Sequence, residues 1–267
     1  MFTLTKDGKR TWLVCFVDDI DCASEVKEHA HEIYETMNKA WPCKLVDSSF
    51  MLGVRRTLTE NNGVRTMTLS MAQYVDGMYN AFKEYISMVG TQVPCDPSMM
   101  LSLTNNSTAD EHRRVLARGY QRAVGMILWA SRLIFIETLY TVQQLCKVMS
   151  KPTEEAWNIA MKLISYMYRN KDQGIKYHSN GNSIPLLMTL SDASNRGDPT
   201  DSKRAYGLCA MWMGGPLAAV SKKLEHSSSA TAANEYMALS HASKYAVWLR
   251  YLFGDLGLSD LTENPTV

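Results

Sequence analysis

The sequence contains few of the residues on which zinc-binding or secreted domains depend. Its six cysteines form no Cys-x-x-Cys pair, and its six histidines do not cluster, so we predict neither a zinc site nor a disulfide framework. Free thiols are typical of a reducing compartment, and no signal peptide opens the sequence. We therefore expect a protein that is not secreted.

Long apolar runs and a strong net charge are also missing. The longest apolar region, residues 123–136, is interrupted by Ser131 and Arg132 and is too short to span a bilayer, so we expect no membrane partner. The net charge of +1 argues against a strong general affinity for nucleic acid. Basic residues are in excess only between positions 101 and 180. That distribution would suit a duplex lying across the middle of the chain, and it is also ordinary for a globular protein.

The segment with the clearest chemistry is Trp12-Leu13-Val14-Cys15-Phe16-Val17-Asp18-Asp19-Ile20-Asp21. Residues 12–17 are β-branched and aromatic, which predicts a buried strand leading into the carboxylates of Asp18 and Asp19. Successive strand residues point to opposite faces, so both acids can serve one site only at a hairpin tip. Two like charges about 4 Å apart repel by roughly 1 to 4 kcal/mol, and a bound Mg²⁺ would remove that repulsion. Taken alone, such a pair is more often a solvated turn.

Turn residues and periodicity indicate the elements that follow. Residues 50–59 and 64–69 predict two strands of a hairpin, joined by the turn sequence Glu60-Asn61-Asn62-Gly63. A polar loop over residues 89–107, with Pro94 and Pro97, indicates a domain boundary. A helix-rich region extends to about residue 169. Short strands follow from residue 174, and an amphipathic helix is predicted over residues 232–253.

Three arginines in the helix-rich region have helical spacing. Arg114, Arg118 and Arg122 fall at positions i, i+4 and i+8, which predicts one line along one face of a single helix. That line would follow the phosphates of a nucleic acid, or it would be an ordinary solvated face. The spacing alone leaves both interpretations open.

The acidic segment resembles the Tyr/Phe-Val-Asp-Asp box of reverse transcriptases, in the form found in copia-type LTR retrotransposon polyproteins. Further motifs similar to boxes of this family follow in the family's order over nearly the whole chain. They are Phe50-Met51-Leu52-Gly53-Val54, Leu69-Ser70-Met71-Ala72-Gln73-Tyr74-Val75, Gly174-Ile175-Lys176-Tyr177, Ser191-Asp192-Ala193, Ser221-Lys222-Lys223, Asn234-Glu235-Tyr236-Met237-Ala238-Leu239 and Trp248-Leu249-Arg250.

The resemblance implies an α+β architecture in three parts. Residues 1–90 would be the C-terminal part of a polymerase palm, built of antiparallel hairpins plus helices. Residues 91–173 would be a mostly helical thumb and connection. Residues 174–267 would be the N-terminal half of a ribonuclease H-like α/β domain. The implied activity is RNA-directed DNA synthesis with cleavage of the RNA strand of an RNA/DNA hybrid, by two-metal phosphoryl transfer.

The resemblance also implies roles for individual residues. Asp18 and Asp19 would hold the polymerase Mg²⁺ or Mn²⁺, and Phe16 and Val17 would shape the turn beside the primer. The primer strand would be supported by three residues of the second box, Phe50, Leu52 and Gly53. The ribonuclease metal ligands would be Asp192 and Glu235. The arginine line would contact the primer-template or hybrid.

Departures from the family pattern limit the expected activity. The third ligands of the two metal sites would lie before Met1 and beyond Val267, in other parts of a polyprotein. We therefore expect weak or absent metal binding and negligible polymerase activity in the isolated chain, which would reside in a cytoplasmic virus-like particle or in the nucleus. Two alternatives remain: a non-catalytic nucleic-acid-binding remnant, and a decayed open reading frame whose half-domains aggregate.

Overall fold

The computed structural model describes residues 1–87, 93–94, 107–179, 187–194, 197–198, 202–226 and 228–259. These residues form three antiparallel sheets and a cluster of helices, so the expected α+β class is correct. The loop predicted over residues 89–107 lies outside the described residues, apart from positions 93, 94 and 107. No described helix is long and apolar enough to cross a membrane.

The first sheet is a three-stranded meander at the start of the chain. It consists of β1 (Phe2–Lys6), β2 (Lys9–Phe16) and β3 (Asp19–Ser24), and α1 (Lys27–Ala40) follows. The prediction that residues 12–17 are buried is wrong, because only Thr11 is buried in β2 and residues 14–17 are exposed. The physical reason is that α1 packs against β3 and contains no buried residue, so it does not cover the end of β2.

The second sheet has four strands: β4 (Phe50–Met51), β5 (Val54–Asn61), β6 (Val64–Ser70) and β7 (Ile175–His178). The strand expected over residues 50–59 is divided by a two-residue turn, where Leu52 and Gly53 have φ values of 53° and 83°. β7 lies beyond the expected boundary at residue 173, yet it pairs with β6, and Ile175 is opposite Leu69.

The helical cluster contains the main hydrophobic core. Its helices are α2 (Ala72–Phe82), α3 (Ala109–Ala117), α4 (Tyr120–Leu133), α5 (Leu139–Lys147) and α6 (Glu154–Arg169), with short 3₁₀ helices at Lys83–Tyr85 and Ile136–Thr138. Thr108 caps α3 by accepting from the Glu111 backbone N–H at 3.2 Å. The fully buried side chains include Tyr120, Met78, Ile127, Leu163 and Ile164. Each contributes roughly 1.5–3 kcal/mol through burial.

The third sheet follows as β8 (Met188–Ala193), β9 (Ala205–Trp212) and β10 (Gly215–Lys223), with β9 in the centre. The predicted helix is present as α7 (Thr231–Asp255), which packs across β8 and β9. The Tyr177 hydroxyl on β7 donates to the Pro216 carbonyl at 2.6 Å. This bond joins the second and third sheets.

Candidate functional site

Asp18 and Asp19 lie at the tip of the hairpin formed by β2 and β3. The last pair of the ladder is Phe16 opposite Asp19, so Val17 and Asp18 form a two-residue loop. Val17 has a φ of 56° and is 90% exposed. Positive φ in a β-branched residue is an outlier in backbone conformation. The turn therefore forces the two adjacent carboxylates to the same end of the hairpin.

A nearby acid on the same strand has a different environment. Asp21 lies on the same face of β3 as Asp19, two residues further from the tip, and forms a bidentate ion pair with Arg56 on β5. Arg56 also donates to the Ser48 carbonyl. Neither Asp18 nor Asp19 has an ion pair or side-chain hydrogen bond within the described residues. Their charges are thus available to a cation, while the charge of Asp21 fixes the hairpin to the second sheet.

Trp129 on α4 connects the hairpin tip to the second predicted box. Its ring lies 6.4 Å from the Phe16 ring, centroid to centroid, and its indole N–H donates to the Leu52 carbonyl at 3.3 Å. The structure therefore brings Phe16 and Leu52 together through Trp129. Sequence reasoning did not find Trp129, because it lies inside an apolar run and has no distinguishing spacing.

The turn that contains Leu52 and Gly53 is supported by α2. A Cβ at Gly53 would lie 3.5 Å from the side chains of both Met71 and Tyr74, and the Tyr74 hydroxyl donates to the Met126 carbonyl at 3.2 Å. Burial raises the pKa of the Tyr74 phenol, so it stays a neutral donor. The predicted primer-supporting segment thus rests on the helical core.

Phe50 lies at the start of this segment, opposite Arg55 in the ladder. The Arg55 guanidinium lies over the Phe50 ring, 5.8 Å from its centroid. Phe50 is 36% exposed, so its ring stays accessible beside a cation.

The predicted arginine line is wrong, because the three residues do not share one helix. α3 ends at Ala117, Gly119 has a φ of 92°, and α4 starts anew at Tyr120. Arg118 therefore caps α3 and forms a bidentate ion pair with Glu154, at 2.6 and 2.8 Å. The left-handed glycine separates the two helices, so Arg114 lies on α3 and Arg122 lies on α4.

The remaining two arginines are both exposed. Arg122 has its guanidinium 5.8 Å from the centroid of the Phe82 ring. Arg114 has no ion pair within the described residues. These two side chains, unlike Arg118, keep charges that a phosphate could approach.

Asp192 and Glu235 are near each other in the fold but do not share one face. Ala193 pairs with Tyr206, and both pack beneath α7. Strand alternation therefore directs Asp192 to the opposite face of the sheet. Glu235 on α7 instead accepts from the Ala193 backbone N–H at 3.2 Å.

The face that carries Asp192 borders a cavity of about 590 Å³ between the third sheet and α5. Glu137, Tyr140 and Ser221 line it as well. The Ser221 hydroxyl donates to Gln143 on α5 at 3.1 Å. Asp192 thus faces this cavity and the preceding helices, whereas Glu235 lies on α7 and binds the backbone of β8.

The hairpin tip can supply only some of the ligands that a metal ion needs. Among the described residues, no three His, Cys, Asp or Glu side chains come together as metal ligands. Exposed, unpaired carboxylate oxygens such as those of Asp18 and Asp19 suit hard cations such as Mg²⁺ or Mn²⁺. The tip thus fits a cation through two residues and leaves the remaining coordination positions to water or another chain.

The chain is similar over most of its length to two plant polyproteins. It is 23% identical over 249 residues to "Retrovirus-related Pol polyprotein from transposon TNT 1-94" of Nicotiana tabacum, which covers 92% of this chain and 18% of the relative. It is 23% identical over 270 residues to the corresponding polyprotein from transposon RE1 of Arabidopsis thaliana, covering 100% of this chain and 17% of the relative. The chain thus spans less than a fifth of each polyprotein.

A shorter protein is similar to about half of the chain. "Secreted RxLR effector protein 161" of Plasmopara viticola is 28% identical over 130 residues, which is 49% of this chain and 90% of that protein. No family model matches, and no solved structure matches. The resemblance predicted from the motifs is confirmed: the chain is similar along most of its length to the Pol polyproteins of plant retrotransposons.

Proposed function

We propose that this chain is the segment of a retrotransposon Pol polyprotein that runs from the reverse transcriptase palm into ribonuclease H. In this proposal the β2–β3 tip is the metal-binding part of the polymerase site. The observation that carries it is that Asp18 and Asp19 are exposed at a two-residue hairpin turn and form no ion pair with any described residue. The supporting comparison is the similarity to two plant Pol polyproteins along most of the chain.

The chemistry of the proposed site follows from its position. A divalent ion held at the tip would neutralise charge on the phosphates of an incoming nucleotide and the primer end. Asp18 and Asp19 would bind that ion, and the strained turn at Val17 would hold their carboxylates at one end of the hairpin. Phe16 and Leu52, both in contact with Trp129, would fix the distance between the ion and the primer-supporting turn.

Two carboxylates make an incomplete site, so the proposal includes weak metal binding and no chain extension by residues 1–267 alone. In-line phosphoryl transfer requires both metal ions to be positioned. The ribonuclease part has less geometric support, since Asp192 and Glu235 lie on different sides of the third sheet. A ribonuclease role for them would require another part of the polyprotein to rearrange this edge.

Metal binding tests the polymerase-derived site directly. Mn²⁺ is titrated into isotopically labelled protein, and paramagnetic broadening of backbone amide resonances is measured. We expect broadening centred on Val17 and Ile20, because both flank the two carboxylates. Asp18→Asn and Asp19→Asn should each weaken the broadening, since each removes one charged ligand.

The matched control is Asp7→Asn. Asp7 lies in the two-residue turn at the other end of β2, also with positive φ, and its side chain is 80% exposed. This variant should leave the broadening around Val17 unchanged. Broadening that is equally strong around Asp7, or that survives the double substitution of Asp18 and Asp19, would reject the hairpin tip as a metal site.

A further inference from the structure

A groove that neither Asp192 nor Glu235 lines lies between α7 and the edge of the third sheet. α7 packs over β8 and β9, while β10 is the outer strand on that side. Lys222 pairs with Tyr206 and Val220 pairs with Leu208. Partners in a ladder share a face, so these residues all point toward the side covered by α7. The space that α7 leaves over β10 is a groove of about 330 Å³.

Aromatic rings form the walls of this groove. The Tyr206 and His241 rings are stacked, with centroids 4.5 Å apart and planes 12° from parallel. Tyr245 and Trp248 meet edge to face at 5.3 Å, which fixes the orientation of the indole. Trp248 is still 51% exposed. A fixed and half-exposed indole provides a platform on which a flat ring can stack.

Two cations border the aromatic walls. Lys222 on β10 and Lys244 on α7 line the groove and are exposed. Neither has an ion pair within the part of the chain that the structure describes. Burial raises the pKa of the Tyr206 phenol, and the charge of nearby Glu225 adds to this shift. One acid is therefore present at the end of the groove nearest that ring. The balance of charge along the groove remains positive.

We propose that this groove binds one nucleotide unit of a single-stranded nucleic acid. The base stacks on Trp248, and the flanking phosphates contact Lys222 and Lys244. Aromatic platforms combined with lysines are the arrangement by which proteins hold single strands without sequence preference. The site is independent of the proposed polymerase function, because it contains none of Asp18, Asp19 or Asp192 and requires no metal ion.

Binding of a fluorescein-labelled ten-residue oligothymidine tests the proposal, with fluorescence anisotropy measured in EDTA over a range of salt concentrations. We expect Trp248→Leu to weaken binding between about 5-fold and 150-fold, the effect of losing one stacked base. The double substitution Lys222→Gln and Lys244→Gln removes two phosphate contacts. It should therefore reduce the magnitude of the slope of log K against log salt concentration by about 1.4. Trp248→Phe should restore most of the affinity.

Matched controls separate this site from general effects. Trp41→Leu removes a tryptophan that lies outside the groove and is 71% exposed. The double substitution Lys39→Gln and Lys151→Gln removes two exposed charges outside the groove. Neither change should alter binding, and Asp18→Asn should not either. The proposal is overturned if wild-type protein does not bind the oligonucleotide at 50 mM salt, or if Trp248→Leu and Trp41→Leu behave alike. Equal effects of the two tryptophan substitutions would indicate that the groove binds a protein segment instead.

Discussion

The ion pair between Arg118 and Glu154 offers a sharp test of the corrected helix boundary. Arg118 is the C-cap residue of α3, while Glu154 lies in the first turn of α6. Both oxygens of Glu154 are bonded by the guanidinium, at 2.6 and 2.8 Å, and the two side chains are 30% and 39% exposed. The guanidinium also lies over the Trp157 ring, 5.9 Å from its centroid. Arg118 therefore contributes to stability by holding two helices together.

The expected magnitude follows from these contacts. An exposed ion pair contributes 0.2–1 kcal/mol, and bidentate geometry places this pair near the upper end, at about 1 kcal/mol. The cation–π contact adds about 0.5–1 kcal/mol. Arg118→Ala should thus lower the free energy of unfolding by about 1.5–2 kcal/mol. In a double-mutant cycle with Glu154→Gln, the coupling energy should be about 1 kcal/mol, since any helix-dipole effect of Glu154 cancels.

The assay is urea unfolding followed by circular dichroism at neutral pH, with hybrid binding measured in parallel. Arg114→Ala is the matched control, because Arg114 is exposed four residues earlier, and it should change stability by less than about 0.5 kcal/mol. Hybrid binding should not weaken more with Arg118→Ala than with Arg114→Ala. A coupling energy near zero, together with a selective loss of hybrid binding in Arg118→Ala, would refute the structural role.

Three further predictions concern the helical core and the site. Tyr120 is fully buried and donates to the Leu145 carbonyl at 2.9 Å, so Tyr120→Phe should lower the free energy of unfolding by about 1–2 kcal/mol. Burial raises the pKa of the Tyr120 phenol above its ordinary value of 10. The unfolded chain therefore loses this proton first, so the free energy of unfolding should fall as pH rises above 10. In Tyr120→Phe the slope of the free energy of unfolding against pH should be smaller by the equivalent of up to one proton. Equal alkaline slopes in both proteins would contradict this. Trp129→Phe removes the hydrogen bond to the Leu52 carbonyl and should speed amide exchange in the turn at Gly53 without unfolding the core; unchanged exchange there would show that Trp129 does not support the site.

Much of the local structure could be predicted from the sequence. The hairpin around Asn62 and Gly63 and the acidic tip after Phe16 were both expected, because turn residues and strand periodicity act over only a few positions. The cap at Thr108 and the long C-terminal helix follow the same local rules. The extra turn at Leu52 and Gly53 was not expected, because a leucine at positive φ is uncommon and gives no sequence signal.

Sequence alone determined which residues could bind a metal or stack on a base, since these are properties of side-chain chemistry. Tertiary structure decided which of them meet. It brought β7 to β6 across a sequence separation of more than 100 residues, placed Trp129 between Phe16 and Leu52, and turned Arg118 toward Glu154 at the glycine that separates two helices. It also set Asp192 and Glu235 on different sides of one sheet. Strand pairing and helix packing fix these outcomes, because the direction of each side chain depends on register and burial of the whole element.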